Sequence, residues 1–218
     1  MSLDHRFPTI SDLRRAAKRR LPGFVWGYLD GGAGNEAAHR RAAETMDRVT
    51  LMPGLLGGDP APDFATRFLG ADLAFPFGIA PVGMSGVVWP DAENLLARLG
   101  REAGIPYAMS TVAAVAPEDV AAALGPHGWF QLYPPRDPEV RADILRRARD
   151  CGFRTLVVTA DTPAPSRRER ASRAGLRMPP RITPRFIGQG IMRPHWSLGT
   201  LKSGPVSYTH LTLPTTRG

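Results

Sequence analysis

The stretch that decides the fold is residues 105–159, IPYAMSTVAAVAPEDVAAALGPHGWFQLYPPRDPEVRADILRRARDCGFRTLVVT. It holds three short apolar runs, Ile105–Ser110, Trp129–Tyr133 and Thr155–Thr159. Each is too short for a helix and is bounded by Gly, Pro or polar residues, so each reads as a strand. Between the first two, Pro117–Leu124 reads as a helix. Between the second and third, Asp137-Pro138 opens a helix that carries Val140, Ile144, Leu145 and Ala148 on one face. Upstream, Phe77-Gly-Ile-Ala-Pro81 is a further apolar run, with a helix expected over Glu93–Ala103. Strands thus recur about every 25 residues with a helix between each pair, the pattern of βα units around a parallel sheet. Four units are visible. A closed eight-unit barrel needs ~250 residues, so periodicity alone leaves a barrel or an open sheet.

Working toward the N-terminus, residues 52–66 are rich in Gly, Pro and Asp and read as an irregular connection. Before them lies a helical segment. Thr9 and Asp12 make a capping-box start to a helix through Arg20, Phe24, Val25, Tyr28 and Leu29 recur at helical spacing up to Gly31-Gly32, and a third helix is expected over Glu36–Val49. The chain of 218 residues has 43% apolar and 22% charged residues, which excludes wholesale disorder. Its one cysteine, Cys151, excludes a disulfide scaffold and a cysteine zinc cage, so no metal is expected. No apolar run reaches the ~18 residues that span a bilayer, and the N-terminus lacks an apolar signal core. A cytoplasmic location follows as the expectation.

The net charge of +8 is unevenly placed. Residues 165–218 hold ten basic groups against the single acid Glu169, whereas residues 1–164 are near neutral. Nucleic acid or an anionic membrane surface could take such a segment. No RNA-binding or helix-turn-helix motif accompanies it, so nucleic acid is not expected. Within residues 170–205, Phe186, Ile187, Ile191, Trp196 and Leu201 are combined with arginines, and Pro179-Pro180, Pro184 and Pro194 forbid one long helix. Basic charge beside Trp and Phe suits a bilayer interface.

In parallel α/β architectures chemistry gathers at the carboxyl ends of the strands. Pro81-Val82-Gly83 lie after the first strand, Ser110 and Thr111 after the second, Gln131 and Tyr133 at the third, and Thr159 and Asp161 at the fourth, with Arg168 shortly beyond. These residues carry a resemblance. LPGFVWGYLDGGAGNE (21–36), FGIAPVGMSGVVWPDAE (77–93), GIPYAMST (104–111), WFQLY (129–133) and LVVTADTPAPSRRER (156–170) occur in order. Together they resemble the FMN-dependent α-hydroxy acid dehydrogenases and oxidases over residues 8–205. VVWPDAE and RPHWSLGTLKSG are most similar to the bacterial membrane-associated L-lactate and mandelate dehydrogenases.

The resemblance implies an α/β fold, a partial TIM (β/α)8 barrel whose first four βα units follow an N-terminal helical segment. It implies FMN as cofactor and oxidation of a small L-2-hydroxy acid to the 2-oxo acid. Tyr28, Tyr133 and Arg168 would meet the substrate. Pro81, Val82 and Gly83 would lie beside the flavin ring, although the family often has Thr where this chain has Val82. Ser110, Gln131 and Thr159 would hydrogen-bond the polar edge of the isoalloxazine, which alternates donors and acceptors. Tyr133 and Asp161 are the catalytic candidates, Asp161 orienting the histidine that takes the substrate proton. That histidine, a second arginine, a lysine and the glycine-rich phosphate site belong to the second half of such barrels and are not found here. None of His5, His39, His127, His195 and His210 stands in a catalytic motif. The chain is therefore read as the N-terminal half (1–205) of a longer, homo-oligomeric enzyme, inactive as written and holding FMN weakly or not at all. Residues 206–218, VSYTHLTLPTTRG, break the pattern and read as a translated sequencing adapter. The matching basic segment, 170–205, implies peripheral attachment to the inner face of the cell membrane and quinone as electron acceptor. An oxidase passing electrons to oxygen and a non-catalytic fragment are the alternatives. Val112 stands where a bulky aromatic would narrow the pocket, so an aryl acid is admitted.

Overall fold

Short β-favouring runs ending at glycine or proline alternate with amphipathic stretches, and the computed structural model shows what they build. It describes residues 3–54, 57–58, 61–160, 167–176 and 183–203. In chain order the elements are α1 (Leu3–Arg6), α2 (Ile10–Arg20), α3 (Gly23–Leu29), α4 (Ala37–Asp47), β1 (Thr66–Phe68), β2 (Ala71–Leu73), α5 (Ser85–Val88), α6 (Ala92–Ala103), β3 (Tyr107–Ser110), α7 (Pro117–Ala121), β4 (Gly128–Leu132), α8 (Pro138–Asp150), β5 (Thr155–Val158), α9 (Glu169–Ala174), α10 (Pro184–Ile191) and α11 (Pro194–Lys202). The chain divides into two compact units, Met1–Pro60 with Ala164–Lys202, and Ala61–Pro163 with Ser203–Gly218.

The unit around residues 61–163 is the α/β body. β3, β4 and β5 form a parallel sheet in sequence order, with Ser110 opposite Gln131 and Gln131 opposite Val157. Parallel neighbours need a crossover, and α7 and α8 supply it. Asp137 caps α8 by accepting from the Glu139 and Val140 amides, with Pro138 in the first turn. The strand period of two sorts side chains cleanly. Tyr107, Met109, Phe130 and Leu132 face the helices and pack with Ala97, Val120, Ile144, Ala148 and Phe153 in the buried core. Ala108, Trp129 and Val157 face the other way and line an apolar cavity of about 380 Å³.

Two features depart from the sequence reading. The Phe77–Pro81 run does not form a full strand: it meets β3 through one parallel bridge, Ile79 to Tyr107. Proline at both 76 and 81 limits the ladder it can make. A two-stranded antiparallel hairpin, β1–β2, which the sequence reading did not place, begins at Thr66, the last residue of the stretch read as an irregular connection. With these changes the architecture remains a parallel α/β partial barrel, not closed among the described residues.

The other unit is helical. The capping box at Thr9 and Asp12 is present. Prolines divide the basic segment into short helices, as expected, and α10 and α11 pack on α3. Phe24 stacks on Phe186 with ring centres 4.6 Å apart and meets Trp196 edge-on at 5.7 Å. Gln189 Oε1 accepts from the Phe24 amide at 2.8 Å. Residues 206–218, read as a non-native tail, lie outside the described residues.

Candidate active site

The same alternation that puts Ala108, Trp129 and Val157 on the cavity side puts Ser110, Gln131 and Thr159 one step further along that face, at the strand tips. The structure brings these three together. Ser110 Oγ donates to Gln131 Oε1 at 2.9 Å, and Gln131 Nε2 donates to Thr159 Oγ1 at 2.8 Å. Ser110 Oγ in turn accepts the Val112 amide at 3.2 Å. Ser110 and Gln131 are buried. A buried polar row of this kind costs stability unless its members satisfy one another. Here they do, with capacity to spare: Gln131 Nε2 has a second hydrogen, and Thr159 Oγ1, accepting from Gln131, keeps its own hydrogen to donate.

Thr111, which the sequence marks only as a strand-tip hydroxyl, ties the next layer. Its Oγ1 donates to the Gln131 carbonyl and accepts the Tyr133 amide at 3.1 Å. Tyr133 is thereby anchored through its backbone while its side chain remains partly exposed. The loop carrying Pro81, Val82 and Gly83 follows the Ile79 bridge and is tied back where Met84 donates to the Val112 carbonyl at 2.8 Å. Val82 is exposed, Gly83 half-buried. Behind the sheet, burial first and the Glu93 charge second push the Tyr107 phenol upward. Glu93 escapes the sequence reading, because an acid in a first helical turn is accounted for by the helix dipole alone.

Tyr28 and Arg168 belong to the helical unit, and they meet there. The Arg168 guanidinium lies over the Tyr28 ring, 5.1 Å from its centre, a cation–π contact. Close packing of α3 on α9 sets this up: a Cβ on Gly27 would stand 2.8 Å from Ala174 Cβ and 3.2 Å from the Arg170 carbonyl, so only glycine fits. Arg170 donates to both Asp30 and Glu36, and Arg14 grips Asp30 from the other side at 2.6 and 2.9 Å. The Arg14 hydrogen bond, followed by that of Arg170, holds the Asp30 carboxyl below its ordinary range, and Arg170 does the same for Glu36. The Arg167 carbonyl accepts the Gly34 amide at 2.8 Å, fixing the residue before Arg168. Asp161, the remaining candidate, lies outside the described residues.

The donor set suits the flavin edge. A pyrimidine-type edge presents two carbonyl oxygens flanking an N–H, and a row of amide and hydroxyl groups with free donors matches it.

Comparison with known proteins gives the family. The family model for FMN-dependent dehydrogenases matches residues 17–215. The chain is 37% identical over 187 residues to an L-lactate dehydrogenase of Xanthobacter autotrophicus and 38% identical over 187 residues to one of Stenotrophomonas maltophilia. Each alignment covers 86% of this chain, and 48% and 49% of the respective relatives. Among solved structures, the monotopic membrane protein (S)-mandelate dehydrogenase superposes with a TM-score of 0.84 at 29% identity, over 95% of this chain and 56% of that one. A mandelate oxidase superposes at 0.72 with 34% identity, over 82% and 51%. The chain therefore spans about half the length of the curated relatives it matches, and by these measures it belongs to the family of FMN-dependent dehydrogenases.

Proposed function

We propose that this chain supplies the flavin-edge and substrate-carboxylate parts of an enzyme that oxidises an L-2-hydroxy acid to the 2-oxo acid. The observation that carries the reading is the satisfied row Ser110–Gln131–Thr159 at the tips of three parallel strands. FMN, when bound, accepts the two electrons removed from the substrate. Ser110, Gln131 and Thr159 hold and orient the ring edge through hydrogen bonds, and the backbone of Pro81–Gly83 lies against the ring. Arg168 takes the substrate carboxylate in a two-point contact, a role for which a planar guanidinium is suited. Tyr28 steadies that guanidinium and offers its hydroxyl to the same carboxylate. Tyr133 faces the substrate oxygens. Asp161 orients and charge-stabilises the imidazolium formed when a histidine base takes the substrate proton.

Exposed Ile187 and Ile191 on α10, Met192 in the turn after it, and Leu198 and Leu201 on α11 stand among Arg185, Arg193 and Lys202. No helix among the described residues is long and apolar enough to cross a membrane. The apolar and basic side chains of this segment support attachment to an anionic bilayer face, with a membrane quinone as electron acceptor. The name of the mandelate dehydrogenase neighbour, a monotopic membrane protein, points the same way.

Titrating FMN with the purified chain tests the flavin reading. Saturable quenching of flavin fluorescence is expected. Gln131→Leu, which deletes the centre of the row, should weaken binding by about tenfold or more. Absence of saturable quenching in the wild type, or equal quenching by the variant, would overturn it.

A further inference from the structure

Glu93 sits in the first turn of α6, 1% exposed. Its Oε1 accepts three hydrogen bonds: from Ser85 Oγ, the Gly86 amide and the Ala114 amide, each at 2.9 Å. The donors come from two loops. Ser85 and Gly86 open α5, directly after Pro81–Gly83. Ala114 closes the turn that leaves Ser110 and Thr111. The second oxygen, Oε2, is buried with no hydrogen-bond partner among the described residues. A Cβ on Gly86 would stand 2.7 Å from Ala114 Cβ and 2.8 Å from Glu93 Oε2, so only glycine admits the carboxylate between the loops.

Burying an acid is expensive, and an apolar residue would serve helix packing better. What an apolar residue cannot do is satisfy the Ser85 hydroxyl and the Gly86 and Ala114 amides. The Glu93 carboxylate fastens the loop after the first βα run to the loop after β3. The second of these is also held at its other end, where Ser110 Oγ accepts the Val112 amide and the Ser110 carbonyl accepts the Ala113 amide at 3.0 Å. Ala114 therefore stands four residues from Ser110, the first member of the polar row, with both intervening hydrogen bonds made to Ser110.

We propose that Glu93 is a positioning residue that locks segments 81–86 and 110–114 to one another and so sets two of the flavin-facing segments in place. The proposal rests on the flavin reading above. It touches neither substrate nor ring itself.

The test compares wild type, Glu93→Gln and Glu93→Ala, using amide hydrogen exchange and FMN titration on the full chain. Gln keeps the Oε1 acceptor, whereas Ala removes it. In Glu93→Ala the Gly86 and Ala114 amides should lose protection together, by about tenfold or more, while Phe130 and Leu132 in β4 keep theirs. FMN affinity should fall by a similar factor, with an altered bound-flavin absorption band. Glu93→Gln should restore protection and lie within about threefold of wild type in affinity. Protection lost throughout the sheet, lost in neither loop, or lost without any change in FMN affinity would overturn the proposal. If Glu93→Ala does not fold, Gly86→Ala drives a methyl into the same junction, and unchanged protection at Ala114 there would overturn it too. A wild type that takes no FMN defeats the flavin reading instead, and the exchange pattern alone then decides whether Glu93 locks the two loops.

Discussion

Gln131 is the residue on which most depends. It is the middle member of the row, bonded to both Ser110 and Thr159, and its backbone carbonyl serves Thr111 as well. Leucine at 131 would leave the Ser110 hydroxyl and the Thr159 oxygen without their partner, a cost of ~1–3 kcal/mol in stability on top of the lost flavin contact. A denaturant melt measured beside the FMN titration separates the two effects, because a wild-type-like melt with lost flavin binding isolates the ring contact. Much of this residue-level picture was legible beforehand. Ser110, Gln131 and Thr159 could be placed at strand tips because short apolar runs end there and because the motifs around them are distinctive. Glu93, Thr111 and Arg170 were not legible as working residues. Each owes its importance to a partner 20 or more positions away, as Thr111 to Gln131, Glu93 to Ala114 and Arg170 to Asp30, and no local pattern announces such a pairing.

At the level of elements, strand order and helix placement followed from alternation and capping, so α2, α6, α8 and the three strands of the sheet stand close to where periodicity puts them. The first apolar run is the exception. Its residues are apolar enough for a strand, but its prolines remove ladder donors, and pattern alone does not count hydrogen bonds. The pairing of α3 with α9 is the other element-level finding, joining segments about 140 residues apart through Gly27 and the Arg14–Asp30–Arg170–Glu36 ion pairs. Its carboxyls have folded pKa values below their ordinary ones. Their contribution is thus present above the ordinary carboxylate range and is lost as pH falls through the depressed values. The helical unit should lose stability below about pH 4, read as a falling melting midpoint by Trp26 and Trp196 fluorescence. Arg170→Met should be less stable at neutral pH and flatter in this acid response. An unchanged acid profile in that variant would show that the pairs do not hold α3 and α9 together.

For the whole molecule, two properties follow from surfaces. The apolar residues of α10 and α11 predict that the chain floats with phosphatidylglycerol vesicles and not with phosphatidylcholine vesicles at low salt, and that Ile187→Asp with Ile191→Asp abolishes the enrichment. Equal behaviour on both lipids would refute an anionic-bilayer face. The second property concerns which part of the cofactor this chain grips. On the proposed reading, the residues assembled at the strand tips address the ring and its polar edge, whereas the glycine-rich phosphate site implied by the family resemblance is not among the motifs of this sequence. Comparing FMN with lumiflavin, which has the ring and no phosphate, measures this directly. Dissociation constants for the two ligands within about threefold of each other, both raised by Gln131→Leu, are the predicted result. FMN binding far tighter than lumiflavin, or lumiflavin binding untouched by the substitution, would contradict the claim that the row Ser110–Gln131–Thr159 is the flavin's seat.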